Sequence, residues 1–185
     1  MGIVGNNGSG KTVLMKCICG FLIPDSGSIT VNGERVGVDV DFPRDMGLII
    51  ETPGFLPNMT GVKNLEILAS LNKKIGLEEI AAAIRRVGLD PLMKKPVGKY
   101  SLGMRQRLGI AQAIMEDPAL LILDEPLNGL DKHGVREMRQ LIKGLKEQGK
   151  TILLASHNQG DIDELCDTVC EMDAGVMTMI REESI

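Results

Sequence analysis

The chain has 185 residues, 43% of them hydrophobic and 25% charged, the balance of a single globular domain of ordinary size. A net charge of −4 with no basic tract argues against direct nucleic-acid binding as a main role, and no run approaches the roughly eighteen apolar residues that a membrane span needs. Aromatic residues make up only 2%.

Ile3-Val4 reads as a buried strand, and the eight residues Gly5-Asn6-Asn7-Gly8-Ser9-Gly10-Lys11-Thr12 behind it fit G-x-x-x-x-G-K-S/T, the phosphate-binding loop pattern. Gly5, Gly8 and Gly10 carry no Cβ, so the chain can turn tightly and aim successive amides at phosphate oxygens. A helix pattern follows from Thr12 to Gly20, a plausible C-terminal cap, and its N-terminus adds partial positive charge under the same phosphates. Lys11 is placed to reach the β- and γ-phosphates, and the Thr12 hydroxyl to bind Mg²⁺. The loop predicts a nucleoside triphosphate ligand. A GTPase is disfavoured because no Asn-Lys-x-Asp guanine motif occurs.

Pro24-Asp25-Ser26-Gly27 reads as a turn, and residues 28–31 followed by Asn32-Gly33 as a strand entering a hairpin. Residues 46–50 form a second apolar run, ended by Glu51-Thr52-Pro53-Gly54, where Pro53 stops the strand. From residue 60 to about residue 99 a helical period takes over through Val62, Leu65, Ile67, Leu68 and Leu71, then Ile80, Ala83, Ile84 and Val87. With its flanks this predicts a helical subdomain at residues 55–115, inserted into one α/β domain that spans 1–185. Ser101 is the N-cap of a further helix reaching Met115, with Leu108, Ala111 and Met115 on one face.

Leu120-Leu121-Ile122-Leu123 ends in Asp124-Glu125-Pro126, a buried strand opening onto a functional edge. A helix follows Asn128-Gly129-Leu130-Asp131 and runs to about Gln148. Residues 151–155 are another buried strand, ending at Ser156-His157-Asn158, before a short helix near 161–166 and a hairpin around Ala174-Gly175. The cysteines Cys17, Cys19, Cys166 and Cys170 lack the third and fourth ligand of a zinc pattern and are read as reduced, mostly buried thiols. In a parallel sheet the phosphate loop, Glu51, Asp124-Glu125 and His157 would share one edge. There Asp124 suits the Mg²⁺ shell, Glu125 can polarise water for attack on the γ-phosphate, and His157 can contact that phosphate.

The segments GNNGSGKT, YSLGMRQRLGIA, LLILDEP, NGLD and SHN stand in the order and approximate spacing of the ATP-binding subunits of ABC transporters, and the resemblance covers essentially the whole chain. It implies a P-loop NTPase fold, α/β with a mostly parallel sheet, and an ATPase that uses ATP and Mg²⁺. On this resemblance Ser101 and Gly103 contact the γ-phosphate held by an opposite subunit, and Asp131 organises the interface. The implied assembly is a homodimer or a pair of ABC subunits with two ATP molecules between them, docked on transmembrane permease subunits at the cytoplasmic face of the cell membrane. Ser-Leu-Gly-Met-Arg stands where the family has Ser-Gly-Gly-Gln-Gln, and Glu51 stands where most members have a glutamine that senses Mg²⁺. Glu51-Thr-Pro-Gly-Phe with Asn58-Met-Thr-Gly is similar to bacterial exporters of the multidrug and bacteriocin- or lantibiotic-resistance type. Only Met1 to Val4 precede the loop, where family members usually carry an antiparallel strand and an aromatic that stacks on adenine, and the end at Ile185 is also early. This predicts a truncated, incomplete N-terminal antiparallel part and weak activity of the isolated chain. The competing expectations are a soluble ABC ATPase acting on ribosomes or DNA, and a non-hydrolysing nucleotide-binding module.

Overall fold

Gly2–Val4 forms the short strand β1, and Ile3 at its centre is fully buried. In the computed structural model, which describes residues 1–182, β1 is the hub of the sheet. Chain order continues with α1 (Lys11–Ile18), β2 (Thr30–Val31), β3 (Glu34–Arg35), β4 (Met46–Ile49), α2 (Gly61–Asn72), α3 (Leu77–Arg86), α4 (Leu102–Ile114), β5 (Leu120–Asp124), α5 (Lys132–Glu147), β6 (Thr151–Ala155), α6 (Gln159–Leu165), β7 (Val169–Asp173) and β8 (Val176–Arg181). A single 3₁₀ turn, Val97–Lys99, leads into α4.

Six strands form one sheet in the order β4-β5-β6-β1-β7-β8. The first five are parallel, with Gly2 opposite both Leu154 and Val169, and β8 closes the edge antiparallel to β7. The antiparallel pair β2–β3 is separate, joined through Asn32 and Gly33, both at positive φ, as a tight hairpin with right-handed strand twist requires.

Helices cover both faces of the sheet, which is why β5 is apolar without alternation. Leu121 and Leu123 join Leu65, Ile84, Leu108, Met138 and Ile142 on the side of α2 to α6. Ile122, Leu153 and Ala155 join Ile3, Met15 and Cys19 under α1. The helices α2, α3 and α4 thus share one apolar cluster with the sheet. α4 lies directly on β4, because a Cβ at Gly47 would stand 1.8 Å from the Ala113 carbonyl oxygen.

Gly20 terminates α1 as expected: the helix ends at Ile18 with Cys19 as its C-cap, and Gly20 follows at φ +82°, where its N–H donates to the Cys17 carbonyl at 3.1 Å and that of Phe21 to the Lys16 carbonyl at 2.8 Å, the usual glycine-ended helix terminus. One local expectation needs correction. Ile67 and Leu71, counted on the apolar stripe of α2, face solvent, while Leu65 and Ala69 are buried. All four cysteines are free thiols; Cys17 is half-buried and the others buried, and burial pushes Cys19 up to about 12. Ile185 lies outside the described residues. No helix among the described residues is long and apolar enough to cross a membrane.

Candidate functional site

Because β4, β5, β6 and β1 are parallel neighbours, the residues that follow them emerge on one edge. Glu51 comes after β4, Glu125 after Asp124 at the end of β5, Ser156-His157 after β6, and the glycine loop after β1. This is the crevice at the carboxyl ends of strands where open α/β sheets bind ligands.

The loop is held in a bend that only glycine takes easily. Gly5, Gly8 and Gly10 sit at φ +148°, +80° and +114°, and a Cβ at Gly5 would approach the Met172 carbonyl oxygen to 2.2 Å. The turn between β7 and β8 braces it, with Gly175 N–H donating to the Ser9 carbonyl at 2.9 Å. Lys11 is buried, and its ammonium donates to the carbonyls of Gly5 at 2.7 Å and Asn6 at 3.0 Å. The Ser9 hydroxyl is buried with no hydrogen-bond partner, a condition that costs free energy unless something polar satisfies it. No side chain caps the start of α1 at Gly10, so its first-turn donors suit an anion.

Around the loop the acids are already arranged. Thr12 Oγ1 donates to Asp124 Oδ2 at 2.8 Å, and Asp124 is only 7% exposed. Glu125 sits at φ +48°. Its Oε1 accepts the His157 backbone N–H at 3.0 Å and lies 2.8 Å from His157 Nδ1, so the tautomer protonated on Nδ1 donates to the same oxygen. Glu51, at φ +58°, pairs with Lys16 at 2.7 Å. A cleft of about 410 Å³ is lined by Asn7, Lys11, Thr12, Glu51, Asp124 and Glu125 among others.

The remaining predicted residues lie elsewhere. Ser101, Gly103 and Asp131 surround a second hollow of about 390 Å³. Ser101 Oγ caps α4 by accepting Met104 N–H at 3.2 Å, and Asp131 Oδ1 caps α5 by accepting Gly134 N–H at 2.7 Å. Arg107, on the wall of this hollow, donates to the Val87 carbonyl and pairs with Glu137. That pairing holds the Glu137 carboxyl below its ordinary range. Leu102, the bulky departure from the family's signature, is exposed beside Gly129.

Three features escaped the sequence reading. Gln106 is buried and donates from Nε2 to the Glu125 carbonyl at 3.2 Å; its signal was a polar side chain in helical register with the buried Ile110 and Ala113. Lys16 stands one helical turn beyond Thr12, a spacing that could have marked it. Buried Asp161 accepts from Arg139 Nε at 2.9 Å and from Ser156 Oγ at 3.0 Å, while Ser156 Oγ accepts Asn158 N–H at 3.1 Å. Together they brace the loop that presents His157, and no local pattern announces that network.

The family model described as ABC transporter matches residues 1–128. An ABC transporter ATP-binding protein of Bacillus subtilis, YybJ, is 44% identical over 94% of this chain and 80% of its own length. The bacitracin transport ATP-binding protein BcrA of Bacillus licheniformis is 45% identical over 91% of this chain and 56% of its own. The lantibiotic transport ATP-binding protein SrtF of Streptococcus pyogenes is 37% identical over 97% and 77%. The chain therefore spans between about half and four fifths of the length of these relatives. Among solved structures, the ATP-binding subunit of an ABC transporter superposes with a TM-score of 0.84 at 26% identity, covering 97% of this chain and 78% of that one. A dimeric bacterial ABC transporter cassette gives 0.83 at 21% identity over 97% and 84%. With the loop, the acids and the signature helix in the places described and relatives at this identity, the chain belongs to the ABC transporter family.

Proposed function

We propose that the chain binds and hydrolyses ATP as the energy-coupling cassette of a transporter. In this reading it closes on a second cassette around ATP and passes the motion to transmembrane permease subunits at the inner face of the membrane. The observation that supports it most is the single sheet edge on which the glycine loop, the Thr12–Asp124 pair and the Glu125–His157 pair meet. The names of the relatives from B. licheniformis and S. pyogenes lead us to assign peptide antibiotics as the cargo of the partner permease. They also favour transport over a ribosome- or DNA-directed role.

The residues fit Mg²⁺. The Thr12 hydroxyl and the Asp124 carboxylate are hard oxygen donors side by side, and Glu51 would add a third. Among the described residues no three His, Cys, Asp or Glu side chains are grouped to hold a metal unaided. That matches an ion which takes its remaining oxygens from phosphates and water. When bound, Mg²⁺ neutralises charge that builds on the phosphates. Lys11 exchanges its carbonyl partners for β- and γ-phosphate oxygens, and the start of α1 supplies further donors. Glu125 accepts the proton of the attacking water, in a rotamer that His157 fixes through Oε1. Ser101, Gly103 and Asp131 serve the triphosphate of the opposite cassette, a two-fold arrangement in which each copy completes the other's site.

Glu125→Gln keeps the shape and the hydrogen bond to His157 while removing the base. Turnover of Mg-ATP by the full-length protein should fall about 10²–10⁴-fold with nucleotide affinity unchanged. Equal turnover in wild type and variant would remove Glu125 from this role.

A further inference from the structure

Three carboxylates line the cleft, and each meets a different kind of neighbour. Asp124 accepts from a neutral hydroxyl, Glu125 from an imidazole, and Glu51 from the ammonium of Lys16, whose Nζ lies 2.7 Å from Glu51 Oε1. Lys16 stands four residues after Thr12 in α1, hence on the same helical face and one turn further from the loop. Glu51 leaves β4 at φ +58°, a backbone setting in which the strand direction is broken, and its side chain meets α1 there. Both partners keep contact with water, at 31% and 61% side-chain exposure, so the pair can part without stranding a buried charge.

We infer that Lys16 is a positioning residue that competes with a divalent cation for the Glu51 carboxylate, and so sets how tightly the cleft takes its metal. This rests on the reading of the cleft as a Mg-nucleotide site. A carboxylate at this position places an extra negative charge beside phosphates, and an ammonium against its Oε1 offsets that charge. The same oxygen cannot hold the ammonium and a metal ion together at full strength. Metal binding through Oε1 therefore requires that oxygen to leave Lys16, and the Lys16 charge opposes a cation at either oxygen. For an exposed ion pair the effect amounts to a factor of about two to five in affinity, and it shrinks as salt screens the pair.

The test measures Mn²⁺ binding to the full chain with a non-hydrolysable ATP analogue, the imido-bridged triphosphate, by counting free Mn²⁺ from its paramagnetic resonance signal. Lys16→Met should tighten Mn²⁺ about two- to fivefold, Glu51→Gln should loosen it, and the double variant should match Glu51→Gln alone. An equal gain from Lys16→Met in both backgrounds would mean a general field effect and overturn the proposal, as would no gain in either. If Glu51→Gln weakens Mn²⁺ while Lys16→Met changes nothing, the metal role of Glu51 stands and that of Lys16 falls. If the wild-type chain takes up no analogue with or without Mn²⁺, the nucleotide reading itself fails, and this inference with it.

Discussion

At the scale of the residue, the loop motif treats its glycines alike, whereas the fold ranks them. Gly5 carries both a left-handed backbone and a carbonyl 2.2 Å from any added Cβ, while Gly8 has the left-handed backbone and open space. Gly8→Ala should therefore cost about 1 kcal/mol, the strain of that backbone in an L residue. Gly5→Ala should cost more, about 2–3 kcal/mol, because Met172 on β7 must also move. Urea titration of the two variants checks the order, and equal losses would show that the contact with Met172 does not matter. The spacing of the glycines was legible in the sequence, and so were Lys11, Thr12, Asp124 and Glu125, because each follows an apolar run or a motif. The neighbours were not. Met172 and Gly175 brace the loop from more than 160 residues away in the chain, and local periodicity holds no information about such pairs.

At the scale of the element, two caps decide how the signature region is read. Ser101 and Asp131 are the N-caps of α4 and α5, which by itself accounts for a serine and an aspartate at those positions. Ser101→Asp separates capping from phosphate contact. Aspartate caps about as well as serine and suits the helix N-terminus, so stability should stay within about 0.5 kcal/mol of wild type. A new negative charge facing a triphosphate should nevertheless abolish ATP-driven association of Glu125→Gln chains, measured by size-exclusion chromatography with ATP. Association as strong as before would leave Ser101 a cap and nothing more. The elements themselves were largely legible, since β5 and β6 carry the unbroken apolar runs 120–123 and 152–155 and α4 carries its own cap. What was hidden is pairing. β7 was expected only as one arm of a hairpin, yet it also lies parallel to β1, and a strand's residues do not name its partner on the far edge.

At the scale of the whole molecule, the proposed function makes the described residues two incomplete halves of a site. The cleft of Lys11, Asp124 and Glu125 and the hollow of Ser101, Gly103 and Asp131 adjoin at Leu102 but share none of these six residues, and in the proposed function each is completed by the other half on a second copy. Full-length chains carrying Lys11→Ala and chains carrying Ser101→Asp should each be inactive alone. Mixed in equal amounts, half of the pairs contain one intact site out of two, so turnover should recover to about a quarter of wild type. A mixture as inactive as its components would contradict a shared site.

The grip of Lys11 on the carbonyls of Gly5 and Asn6 has a thermodynamic corollary. In the proposed function an arriving polyanion does not meet a bare ammonium; it would displace two backbone oxygens that already occupy it, and the measured affinity would report the surplus of one coordination shell over the other. The same side chain also staples the curved segment to itself, so under the proposed function deleting it removes scaffold and receptor in one stroke.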